Sequence, residues 1–123
     1  MDKAAWIERI TAAMMGVGTY RKSFDDVIDT AADIAERRDV ARELFIESGG
    51  NIIVNHTNKA GATNPEQNPA LRMVNDLNRD LLAYWRDLGL TPAGLKRIDE
   101  QSMKQRKKST LEEALSGLGG KAR

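Results

Sequence analysis

Residues 68–89, NPALRMVNDLNRDLLAYWRDLG, decide the fold. Asn68 followed by Pro69 is a helix start: the Asn side chain accepts from a free first-turn amide, and proline loses nothing at a position whose N–H has no helical partner. Leu71, Val74, Leu77, Leu81, Leu82, Trp85 and Leu88 then recur in steps of three and four until Gly89 stops the run. The spacing predicts an amphipathic helix whose apolar stripe needs a partner. Each Leu or Trp buried from it stabilises by about 1.5–3 kcal/mol.

The partner lies upstream. Phe24, Val27, Ile28, Ala31, Ile34, Ala35, Ala41, Leu44 and Phe45 repeat the same steps and end at Gly49-Gly50. Ser23 with Asp26 three residues on resembles a capping box, and Asp25 and Asp26 suit the positive helix N-terminus. The two stripes predict a long antiparallel helical hairpin. Arg38 falls on the apolar line, so it either pairs with an acid or faces a neighbouring subunit. Between Gly49 and Asn68 the helical period lapses for longer than an ordinary connection. Ile52, Ile53 and Val54 have strand character, and the residues from Thr57 to Gln67 are rich in turn formers. A long ordered loop is expected there, extended or hairpin-like, touching a partner subunit or DNA.

Outside this hairpin, Asp2 caps a short first helix with Trp6, Ile10 and Ala13 or Met14 on one face, and Gly16 ends it. Trp6, Trp85 and Met73 read as core or subunit-interface residues. Thr91-Pro92 repeats the cap-plus-proline start, so a fourth helix runs through Leu95 and Ile98 to about Met103. Lys104, Arg106, Lys107 and Lys108 follow. A second start signal, Thr110 with Glu113, opens a segment carrying Leu111, Leu115 and Leu118 that is too short to hold a helix alone and orders on binding. The expected fold class is all-α, in three parts: an N-terminal helix and connection (1–22), a central hairpin that oligomerises (23–103) and a basic flexible tail (104–123).

Composition bounds the chemistry. With 123 residues the chain can build one small core, and burial through self-association would add to its stability. There is no Cys and a single His, His56, so neither a thiol nucleophile nor a zinc cluster is expected. Gly16-Val17-Gly18 lacks the spacing and the Lys of a phosphate loop. No catalytic constellation, cofactor or metal site is therefore expected. The first eighteen residues contain Asp2, Lys3, Glu8 and Arg9, which break any apolar segment of membrane or signal length. A cytosolic protein follows, with no membrane partner. The net charge of +1 conceals an asymmetry: residues 24–48 hold eight acids against three bases, and residues 91–108 six bases against two acids. That suits phosphate contact through the basic end, head-to-tail pairing of subunits, or an unevenly solvated surface. No base-reading motif is present.

Glu47-Ser48-Gly49 before the polar loop, Asn68-Pro69-Ala70-Leu71, and Leu88-Gly89-Leu90-Thr91-Pro92 leading to Lys96, Arg97 and Ile98 occur in an order that resembles the P27 family of phage terminase small subunits. The resemblance covers about residues 24–98. It implies a non-catalytic homo-oligomeric ring that binds double-stranded viral DNA in the cytoplasm of the infected bacterial host. A separate large subunit would hold the ATPase and nuclease. On that reading Lys59, Lys96, Arg97, Lys104, Arg106, Lys107 and Lys108 are the candidate DNA contacts, and Arg38, Arg72 and Arg79 candidate subunit contacts. Leu111, Leu115 and Leu118 are the candidate dock for the large subunit, or a ring-packed tail. The rival expectation is a structural helical scaffold or head-completion protein whose basic end meets no DNA.

Overall fold

The computed structural model describes residues 1–121, with side-chain surroundings through Leu118; the last two residues of the expected tail lie outside the described residues. The elements are α1 (Lys3–Val17), α2 (Asp25–Glu47), β1 (Ile53–Thr57), β2 (Thr63–Gln67), α3 (Pro69–Asp87) and α4 (Pro92–Lys121), with one 3₁₀ turn at Lys22–Phe24. The molecule is mostly helical, but the expected all-α class needs correcting. Residues 53–67 form a two-stranded antiparallel sheet in which Ile53 faces Gln67 and Thr57 faces Thr63. The β-branched residues noted in the sequence supply its first strand.

Three helices make the core. Trp6, Ile10 and Met14 of α1, Ile28, Ala31, Ala32, Ile34 and Ala35 of α2, and Leu81 of α3 with Leu88 beyond it form one buried cluster. Small Ala residues on α2 let the neighbouring helices approach closely. Asn68 Nδ2 donates to Ser48 Oγ at 3.1 Å. Ten residues on along α3, Asn78 accepts from Arg38 at 3.0 Å, ten residues back along α2. The two helices therefore lie side by side in opposite directions. Trp6 and Trp85 meet with ring centroids 6.3 Å apart, tilted by 31°.

The caps show which local signals act. Asp2 accepts from the Ala5 amide at 2.8 Å, and Asn68 from the Ala70 amide at 3.0 Å. Thr91 Oγ1 accepts from Gly94 N at 3.1 Å. The first helix does not stop at Gly16 but runs to Val17, because the left-handed position falls at Gly18, φ 77°. Ser23 does not cap α2, since it sits inside the 3₁₀ turn and no side chain caps that helix. Instead Tyr20 Oη donates to Asp25 Oδ1 at 2.9 Å and fastens the connection.

Two apolar lines are narrower than their spacing predicts. Leu82 is 49% exposed beside fully buried Leu81, and Val27 and Leu44 of α2 lie on its outer surface. Neighbouring residues on a helix sit about 100° apart, so only one of Leu81 and Leu82 can face the core.

The fourth helix departs most from expectation. It does not end near Met103, nor restart at Thr110; it is one continuous helix from Pro92 to Lys121. Its length is about 45 Å at 1.5 Å per residue. Only its first turns touch the body, through buried Gly94 and half-buried Leu95 and Ile98, and from Asp99 to Leu118 every side chain is exposed.

Candidate nucleic-acid interface

The basic residues of the C-terminal region are organised by α4. Thr91 caps it and Pro92 opens it, and the Gln, Lys, Arg, Glu, Ala and Leu residues that follow carry high helix propensity. Ser109 and Thr110 cost a few tenths of a kcal/mol each in such a run, too little to break it. At 100° per residue, Lys96, Arg97, Lys104, Lys107 and Lys108 fall within an arc of about 120° that points away from the face carrying Gly94 and Ile98. Leu111, Leu115 and Leu118 fall in that same arc. One outward face of a single helix is thus basic first and apolar next, with Glu100 as the one acid within it. The leucines are 60%, 59% and 66% exposed and have no packing partner among the described residues.

Two of the expected contacts stand apart from this face. Arg106 projects from the flank of α4 nearer the body and, with Arg21, Phe24, Asp87 and Met103, lines an open concavity over the connection from α1 to α2. Lys59 lies in the turn between β1 and β2, at the N-terminal end of α3, whereas α4 leaves from its C-terminal end. About 28 Å of helix separates the two attachment points. Arg97 also shares its charge with Asp87 at 3.5 Å, a pair more than half exposed on both sides and so of little energetic weight.

The three arginines assigned to subunit contact are placed differently from one another. Arg38 turns inward: its Nε donates to Asp39 Oδ1 at 3.1 Å, Nη1 to Asn78, and its guanidinium lies 5.6 Å from the Trp6 ring centroid. Arg79 is exposed with a 3.6 Å pair to Asp76 one turn away, and Arg72 is exposed on the same helix.

Asp39, which the sequence did not single out, is the polar hub beneath α1. It accepts from the Trp6 indole at 2.8 Å, from Arg38 and from the Met1 ammonium at 3.2 Å. Partial burial opposes its ionisation, but the bonds from Trp6, the ammonium and Arg38 outweigh that and hold its carboxyl below the usual carboxylate range. Beside it, Lys3 spans Asp29 and Asp33, both at 3.1 Å. The bonds to Asp33 and Asp29 raise its pKa.

Gly94 is the second position that sequence reading passed over. A Cβ there would strike the Arg86 carbonyl oxygen and lie 2.9 Å from its carbon, so α4 sits directly on the backbone at the end of α3. A lone glycine inside a helical pattern was the available signal. Thr19 completes the junction by donating from Oγ1 to the Leu88 carbonyl at 2.8 Å.

Among the described residues no group of His, Cys, Asp and Glu could hold a metal ion, and no helix is long and apolar enough to cross a membrane. His56 is exposed, with only Glu66 nearby at 3.9 Å. A family model described as phage terminase, small subunit, matches residues 3–105. No curated protein and no solved structure matches the chain.

Proposed function

We propose, from the premise that this chain belongs to the phage terminase small-subunit family, that it is a non-catalytic, ring-forming DNA-packaging adaptor of the P27 type. It binds double-stranded viral DNA in the cytoplasm of the infected bacterial host and regulates the large subunit that carries the ATPase and nuclease. The observation that carries the reading is the outward face of α4: Lys96, Lys104, Lys107 and Lys108 are exposed on it, with Arg97 beside them in its exposed pair with Asp87.

Phosphates need unpaired cations that release condensed counterions on contact, and a projecting helix presents them without the desolvation that a closed site would impose. Each subunit supplies few contacts; repetition round a ring multiplies them by effective concentration rather than by new chemistry. Arg106 and Lys59 add positive charge at other points, and exposed Arg72 and Arg79 serve subunit contact against acidic α2 of a neighbour. Arg38 supports that contact from inside, by holding Asp39 and Asn78.

Leu111, Leu115 and Leu118 are the dock for the large subunit, entering an apolar groove as a helix face. Because they continue the basic face, about 5 Å beyond Lys108 along the axis, DNA and large subunit meet α4 from the same side. The small subunit thereby presents DNA next to the motor, while the chemistry stays with the larger chain.

The test is light scattering of the full chain with and without duplex DNA, beside a variant with Lys96, Lys104, Lys107 and Lys108 changed to Gln. An oligomer that gains mass with DNA only as the natural sequence supports the adaptor. An oligomer indifferent to DNA in both forms rejects it and favours the structural scaffold.

A further inference from the structure

The hairpin has two edges, and they are not equivalent. Asn68 N donates to Ile52 O at 2.8 Å and Asn58 N to Ala62 O at 2.9 Å, and both bonds share the register that pairs Ile53 with Gln67. Hydrogen-bonded and non-hydrogen-bonded pairs alternate in an antiparallel ladder, so Val54–Glu66 and His56–Asn64 are the bonded pairs. Ile53, Asn55 and Thr57 therefore turn their N–H and C=O groups outward, away from β2. Among the described residues no hydrogen bond from outside the hairpin ladder reaches those three amides. On the opposite edge the outward positions are Thr63, Pro65 and Gln67, and Pro65 has no N–H to offer. The β2 edge is blocked at its centre, and the β1 edge is open.

We infer that the open β1 edge pairs with β1 of a second copy of this chain, antiparallel about a two-fold axis through Asn55. Three observations select that occupant. Residues 51–58, NIIVNHTN, carry no Asp, Glu, Lys or Arg, so two copies meet without like charges and without the lysines that usually guard an exposed edge. Ile52 and Ile53 are 63% and 58% exposed beside that edge, and a two-stranded hairpin is marginal in water until further strands join it. The resulting order, β2–β1–β1–β2, also places Pro65 on both outer edges, so addition stops at two copies. Ile53 then lies opposite Thr57 of the second copy, and Asn55 opposite its own counterpart.

This contact is separate from the ring. A two-fold pairing through one edge cannot propagate round a cycle, so it joins copies from two rings, or two lone subunits, and doubles the particle in either case.

The self-opposition of Asn55 gives the test. Asn55→Lys sets two like charges against each other, as does Asn55→Glu, while neither touches a bond within the hairpin. Light scattering of the full chain should show each variant alone at half the mass of the natural protein, and an equal mixture of the two returning to the full mass. Asn55→Pro removes one outward N–H and should also halve it. Pro65→Thr opens the second edge and should drive association beyond the pair. Masses unchanged by Asn55→Lys and Asn55→Glu, or a mixture that stays at half mass, overturn the inference. The particle left after halving reports the ring by itself: a closed oligomer if subunits form one, a single chain if they do not.

Discussion

Gly94→Ala should destabilise this protein, although the same change in an open helix stabilises it. In a free helix the substitution gains about 1 kcal/mol, because glycine loses more backbone freedom on folding than alanine. At Gly94 the added Cβ meets the Arg86 carbonyl oxygen, with Arg86 carbon at 2.9 Å and Arg86 Cα at 3.0 Å. All three are backbone atoms, and no side-chain rotation relieves them. Overpacking of this kind costs about 1–3 kcal/mol, more where the obstruction cannot yield. The conflict is relieved only by lifting α4 from α3, which unseats Leu95, Ile98 and the Gly89 turn. Because the obstruction is backbone, the cost falls in the upper part of that range, about 2–3 kcal/mol; set against the gain of about 1 kcal/mol, it leaves a net loss of about 1–2 kcal/mol, or a midpoint lower by roughly 4–10 °C for a domain of this size. Differential scanning calorimetry reads it directly. Gly117→Ala is the control: it lies in the same helix, an added Cβ there would meet nothing within 4 Å, and the change should raise helicity by circular dichroism without lowering the midpoint. A midpoint for Gly94→Ala at or above that of the natural protein would refute the close approach of α4 to α3.

Three further outcomes follow from the same contacts. Asp39→Asn leaves Trp6, Arg38 and the ammonium without their anion and should cost about 1–3 kcal/mol in urea denaturation at neutral pH. Because the folded carboxyl of Asp39 is held below its unfolded value, its contribution is present above the unfolded pKa and fades as pH falls through the folded one; the variant's acid unfolding should be correspondingly flatter. Asn68→Ala removes the α3 cap together with bonds to Ser48 and Asn51, and should lower stability by about 1–3 kcal/mol, measured by the same denaturation. Inserting two alanines between Ser109 and Thr110 turns the leucines about 200° away from the bases, whereas inserting seven restores their phase; the first should uncouple DNA binding from large-subunit stimulation and the second should retain it, as read by the stimulated ATPase rate.

Much of this architecture is legible in the sequence because its signals are local. Asn68-Pro69 and Thr91-Pro92 mark helix starts that need no tertiary information, and Leu71 to Leu88 repeats long enough to fix a face. What escaped depends on choices between neighbours or on contacts across the chain. Spacing alone does not decide between Leu81 and Leu82, and Val27 and Leu44 lie near enough to the apolar line of α2 to be counted with it. Ser23 and Thr110 both imitate caps, yet one is taken up by a 3₁₀ turn and the other by a helix already in progress. That second imitation hid the main feature of the candidate site, since bases and leucines share a face only when α4 passes unbroken through Ser109 and Thr110. Asp39 looked like one acid among eight on its segment, and only the packing of α1 against α2 brings Trp6 to it. Pro65 was visible as a turn former, while its role at a strand edge depends on register.

The central claim is that the outward basic face of α4 holds duplex DNA by its phosphates. The measurement that tests it most directly is the salt dependence of DNA affinity, natural chain against the Lys96, Lys104, Lys107 and Lys108 to Gln variant. Each lost phosphate contact lowers the slope of log affinity against log salt by about 0.9, so the variant's slope should be shallower by roughly 3–4 for each subunit engaged, with thermal stability unchanged. An identical slope for the two proteins would contradict the claim and move the DNA contact elsewhere on the molecule.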